Sequence, residues 1–190
     1  MNETQSQILL ANYLKSIGLN LNDENYRETP ARIVRMHKEM MFGMTSEAKD
    51  EITKILSKKF PCTSNDMMVF SNIPVNSLCP HHLLPVCLKI WVAYIPDGKE
   101  VIGLSKIPRL VKLLCKKPVL QEELPGEIAD CLVNNTSNLG VFVIVKGRHG
   151  CMWDRGVEAK VPVLNSTVRG AFKHESTRNE ALKLMEWGSK

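Results

Sequence analysis

The stretch Ser77-Leu78-Cys79-Pro80-His81-His82-Leu83-Leu84-Pro85 constrains this chain more than any other. It places one thiol and two imidazoles in the run Cys79 to His82, and far downstream Arg148-His149-Gly150-Cys151 adds another imidazole and another thiol. Zinc takes Cys sulfur and His nitrogen; structural sites close with four protein ligands, whereas catalytic sites leave one position for water. The thiols here do not form two CxxC pairs, so three protein ligands and one water is the expected count. Cys79-x-x-His82 closes a chelate from one loop, and Cys151 supplies the third ligand from the mouth of a later strand. A lone CxxH pair is weak evidence; CxHH and HxC together, each beside an apolar strand, are much stronger. His81 and His149 then remain for proton transfer, in the pH range where imidazole titrates.

The pattern around these motifs predicts an α+β fold. Residues 4–17 read as a helix with Leu10, Leu14 and Ile17 on one face. Thr29 and Pro30 read as the cap and first position of a second helix carrying Ile33, Met36 and Met40. Residues 46–58 read as a third helix, with Ile52, Ile55 and Leu56 inward. At Phe60-Pro61 the character changes to β-branched alternation. Met67–Val75 and the period-two run around Val86, Leu88, Ile90 and Val92 are strands flanking the metal loop. Pro96-Asp97-Gly98 is a turn signal, so Val101–Leu104 is expected to return as the antiparallel partner. Ser105 is an expected cap for a helix bearing Ile107, Leu110, Val111 and Leu114, and Gln121–Asn135 is a second helix. Val141–Val145 is an all-apolar strand buried on both faces, Val161–Leu164 and Thr167–Phe172 are weaker strands, and Thr177-Arg178-Asn179-Glu180 opens a last helix. Helices, a strand pair, two helices and a second strand pair give an antiparallel sheet rather than a βαβ repeat. The expected division is an N-terminal helical region, 1–59, and a catalytic domain, 60–190.

The net charge of +5 fits an anionic substrate. The basic residues are scattered, which argues against nucleic acid as a partner. Neither a signal peptide nor an apolar run of membrane-spanning length is read, and the irregularly spaced cysteines suit a reducing cytoplasm. Lys106 and Arg109 lie a turn apart at a helix start, where free N–H groups favour an anion; Arg155 follows the HxC loop and Arg32 opens an earlier helix. A polyphosphate would explain the set. Gln121-Glu122 stands at another helix start, where a carboxylate could accept two N–H bonds from a guanine edge, or merely complement the helix dipole.

With these residues in view, the chain resembles GTP cyclohydrolase I. The landmarks are Glu28-Thr29-Pro30-x-Arg32, Cys79-x-His81-His82, Ala93-Tyr94-Ile95-Pro96, Val101 to Lys106, Gln121-Glu122, and His149-x-Cys151 with Arg155-Gly156, in order along nearly the whole chain from residue 20. The resemblance implies a tunnelling fold (T-fold), with N-terminal helices and two helices packed on an antiparallel sheet, assembled as a homodecamer of two stacked five-chain rings. It implies Zn2+ on Cys79, His82 and Cys151. It implies hydrolytic opening of the guanine imidazole ring of GTP, formate release and rearrangement to 7,8-dihydroneopterin triphosphate, a precursor in pterin and tetrahydrofolate synthesis. By position, His149 protonates N7, His81 assists proton transfer and Ser105 the ribose rearrangement. Glu122 with Gln121 beside it holds the guanine, and Lys106, Arg109, Arg155 and Arg32 hold the triphosphate.

Pro80, Glu123, Gly150, Trp153 and Asp154 depart from the family pattern. Glu123 and Asp154 keep two alternatives open: a relative of altered purine-nucleotide specificity or one that stops at the ring-opened formamide, and a non-catalytic nucleotide-binding ring protein.

Overall fold

The computed structural model describes residues 2–189 and divides into two compact units, one ending at Phe42 and one beginning at Gly43. In the first, α1 (Glu3–Ser16) packs against α2 (Thr29–Met40). Asn2 caps α1 by accepting from the Gln5 amide. Glu28, rather than Thr29, occupies the cap position of α2, with Pro30 in its first turn. Pro30 and Val34 are the buried residues of α2, and Met36 is exposed. The methionine stripe expected to face inward therefore lies partly in solvent.

The second unit starts with α3 (Ser46–Ser57), capped by Thr45 Oγ1 accepting from the Ala48 amide. Ala48, Ile55 and Leu56 are buried, and α3 packs on α4 (Lys106–Leu114). The strands are β1 (Lys59–Pro61), β2 (Met68–Leu78), β3 (Pro85–Pro96), β4 (Glu100–Ile102), β5 (Asn138–His149) and β6 (Val163–Gly170). β2, β3, β5 and β6 form one antiparallel sheet in that order. The expected hairpin after Asp97-Gly98 does not form. Both edges of β3 are taken by β2 and β5, so β4 pairs with β1 in a separate two-stranded sheet. The two weak strands near the C-terminus are one strand, β6.

Register divides the sheet into two faces. Val86, Leu88, Ile90 and Val92 of β3 stand opposite His149, Gly147, Val145 and Val143 of β5. On this side α4 packs on β2, and α5 (Leu124–Asn135) packs on β5 and β6. Leu110, Val111, Ile128 and Leu132 are buried there. Arg169 of β6 donates from Nε to Asp130 Oδ1 (2.7 Å) and from a terminal nitrogen to Oδ2 (3.2 Å), tying α5 to the sheet edge. The other face carries Ala93 and Phe142, covered by Phe172 and by Ala181 and Met185 of α7 (Glu175–Trp187). The final helix begins at Glu175 behind His174, so Thr177 lies inside it instead of capping it.

Candidate active site and metal centre

The hairpin between β2 and β3 holds the first pair of candidate ligands, Cys79 and His82. Its turn is closed by the Leu83 amide on Cys79 O (3.0 Å) and the Cys79 amide on Leu84 O (2.9 Å). Leu83 takes a left-handed backbone (φ 52°), a local cost that the closed turn sustains. Ser77, fully buried, donates its hydroxyl to Lys117 O (2.6 Å), fixing the end of β2. Cys79 is consequently buried, while His81 and His82 are exposed.

The second contribution comes from the far end of β5. His149 closes the strand, and the four-residue helix α6 (Gly150–Trp153) carries Cys151. Gly150 sits under this turn because a Cβ there would meet Pro85 O at 3.0 Å and Asp154 Oδ2 at 3.2 Å. The ligand atoms of Cys79, His82 and Cys151 all lie within 4.8 Å of one another, and Cys79 Sγ is 3.9 Å from His82 Nδ1. Zn–S of about 2.3 Å and Zn–N of about 2.0 Å in a tetrahedron require donors roughly 3.5–4 Å apart. The donor set therefore fits one zinc-sized cation after a modest closure. Burial, and then the neighbouring Cys79 sulfur, push the Cys151 thiol above the ordinary thiol range. A cation among these donors would offset that cost.

His149 is held from the other side. Its Nε2 is 2.7 Å from Gln121 Oε1. Gln121, only 3% exposed, donates its amide nitrogen to Val163 O (2.8 Å) and Asn165 Oδ1 (3.2 Å). With both amide hydrogens committed to acceptors, Oε1 must accept, so His149 carries its hydrogen on Nε2 and leaves Nδ1 free. Asn165 returns a bond to Gln121 O (2.8 Å). Burial pushes the His149 pKa down, opposed by the charge of Glu122. Gln121 is thus fully engaged within the protein, and Glu122 beside it is exposed.

Sequence reasoning missed Asn165 and Gly147. A Cβ on Gly147 would lie 2.0 Å from Gln121 Oε1 and 3.1 Å from His149 Nε2, so this glycine makes room for the bond between them. No spacing signal reveals either residue, because Asn165 reaches Gln121 from β6 and Gly147 matters only through the packing of Gln121 against β5.

The basic residues distribute unevenly. Arg155 places a guanidinium nitrogen 3.1 Å from His82 Nε2 and so borders the candidate ligand cluster. Ser105 and Arg109 are exposed, and Lys106 is half-buried, at the start of α4. Ser105 has helical dihedrals and its hydroxyl makes no cap bond, contrary to the expected capping role. Arg32 lies in the N-terminal unit, paired with Glu28 (2.8 Å) one turn away. Asp154, one of the departing acids, approaches Arg148 (3.7 Å).

The GTP cyclohydrolase I family model matches residues 7–186. The chain belongs to the GTP cyclohydrolase I family. It is 41% identical over 174 residues to the GTP cyclohydrolase 1 of Clostridium perfringens, covering 90% of this chain and 91% of that protein. Identity is 39% to the same-named protein of Pelotomaculum thermopropionicum (91% of each chain) and 34% to that of Streptococcus pyogenes (97% of this chain, 94% of that one). Family membership accounts for the antiparallel sheet with two helices on one face, the chain-level unit of the tunnelling fold. Among the described residues no helix is long and apolar enough to cross a membrane.

Proposed function

We propose that this chain is a zinc-dependent GTP cyclohydrolase I, converting GTP and water to formate and 7,8-dihydroneopterin triphosphate. The convergence of Cys79, His82 and Cys151 beside a strand end that presents His149 is the observation that carries the reading. Cys79, His82 and Cys151 would hold the zinc, which when bound would supply Lewis acidity and lower the pKa of a water toward neutral pH. His149 takes up a proton from solvent at Nδ1, the ring nitrogen its bond to Gln121 leaves free, and as imidazolium delivers that proton to N7 of the purine. Protonation at N7 makes C8 a better electrophile. Burial lowers the His149 pKa, which makes its imidazolium a readier proton donor. His81, exposed beside the ligand turn, assists proton transfer during ring opening and the later rearrangement, and Ser105 serves the ribose rearrangement. Glu122 accepts from the guanine edge, with Gln121 holding the loop. Lys106, Arg109, Arg155 and Arg32 bind the triphosphate, and Arg32 reaches it from another copy of the chain.

The working form is a homo-oligomer, expected as two stacked five-chain rings in the cytoplasm. The open edges of β2 and β6, and the exposed Val163 and Leu164 on β6, support continuation of the sheet into a neighbouring chain.

The test is incubation of zinc-loaded protein with GTP, following formate and the fluorescence of oxidised neopterin. Both should appear, and both should vanish with a chelator. His149→Ala should retain zinc and lose ring opening; near-normal formate release from that variant would overturn the role of His149.

A further inference from the structure

The sheet face that carries α7 is only half covered. Phe172, Ala181 and Met185 pack over Ala93 and Phe142. Toward the other end of the same face, Lys89 stands directly opposite Lys146, and Cys87 opposite Arg148. Lys89, Lys146, Arg148 and Asn76 border a cavity of about 440 Å³, walled by Trp153 and Pro162. Among the described residues no carboxylate lines it.

Like charges directly opposite on adjacent strands destabilise a sheet. Among the described residues, neither Lys89 nor Lys146 has an ion-pair partner. Arg148 is already oriented: its guanidinium lies 4.3 Å from the centre of the Trp153 ring and 3.7 Å from Asp154. A stacked guanidinium keeps its N–H edge available to an anion at little further entropic cost. Three cations less the Asp154 carboxylate leave a local charge of +2. That matches a phosphate monoester, which approaches two negative charges at neutral pH.

We propose that this concavity is a binding site for a small phosphate monoester. The phosphate lies between the Lys89 and Lys146 ammonium groups and the Arg148 guanidinium, and the organic part rests on Trp153 and Pro162. The site is distinct from the proposed triphosphate subsite. Arg148 and His149 are sequence neighbours on opposite faces of β5, and α4, with Lys106 and Arg109, packs on the face His149 shares. Trp153 and Cys151 share α6, so occupancy on one face bears on the ligand cluster on the other.

Ribose 5-phosphate is the probe, titrated calorimetrically into the full chain at low salt. The wild type should bind it. Lys89→Gln with Lys146→Gln should weaken binding at least tenfold, and Lys146→Gln alone should weaken it measurably. Lys106→Ala with Arg109→Ala should leave it within twofold. Without probe, the Lys89→Gln, Lys146→Gln protein should melt no lower than wild type, because the opposed charges are gone. No binding by wild type at millimolar probe, or loss that follows Lys106 and Arg109 instead of Lys89 and Lys146, overturns the proposal.

Discussion

His149 Nε2 lies 2.7 Å from Gln121 Oε1, and that bond sets which imidazole nitrogen holds the hydrogen. Gln121→Leu removes the acceptor and strands the amide-binding atoms of Val163 and Asn165. Leaving buried polar groups unpaired costs about 1–3 kcal/mol. The variant should melt several degrees lower and lose most ring-opening activity while still binding zinc. Metal content and formate release measured on the same preparation check this.

Gly147→Ala tests the same bond without touching either partner. Its Cβ would fall 2.0 Å from Gln121 Oε1, so Gln121 must move off His149. The expected result is a fall in kcat larger than the change in KM, with a shift in the His149 ring nitrogens' NMR signals. An unchanged tautomer signal would remove Gly147 from the argument.

Cys151→Ser removes one of three donors that lie within 4.8 Å of one another. Zinc should raise the melting temperature of wild type, since a ligand that binds only the folded state at a hundred times Kd adds about 2.7 kcal/mol. The variant should show no such rise and no formate release. A chelator should bring wild type down to the variant's melting temperature.

Burial pushes the Cys115 thiol up to about 12. The folded protein therefore holds this proton when the unfolded chain, with an ordinary thiol near 8.5, gives it up. The resulting stability is complete below the unfolded value and drains away as pH rises toward 12. Denaturant midpoints should fall across that alkaline window and fall less in Cys115→Ala. Alkylation at pH 8 should label the exposed Cys87 first and Cys115 only after unfolding.

Arg169 and Asp130 make a two-point contact between β6 and α5. Both side chains are partly exposed, 35% and 54%, so solvent screening reduces the pair's contribution to roughly 1 kcal/mol. Arg169→Ala should lower the melting temperature by a few degrees, and 0.5 M salt should narrow the difference from wild type. A drop unaffected by salt would assign the loss to packing instead.

The candidate donor types, their chain order and the α+β class were legible in the sequence because they rest on local chemistry. Cys79-x-x-His82 is a chelate closed by one turn, and period-two alternation is visible over the run from Val86 to Val92. The helix starts were legible in position and less so in chemistry, since neither Ser105 nor Thr177 caps a helix in the fold. The hairpin expected after Asp97-Gly98 failed because a turn signal says nothing about which strand edges remain open. Tertiary structure alone decided the nonlocal relationships. It brought Cys151 to Cys79 by pairing β5 with β3, turned Gln121 inward toward His149, supplied Asn165 from the neighbouring β6, and packed Gln121 over Gly147 of β5 itself. It also set Arg148 and His149 on opposite faces of one strand. Sequence fixes what each residue can donate or accept; strand register fixes which partners it meets.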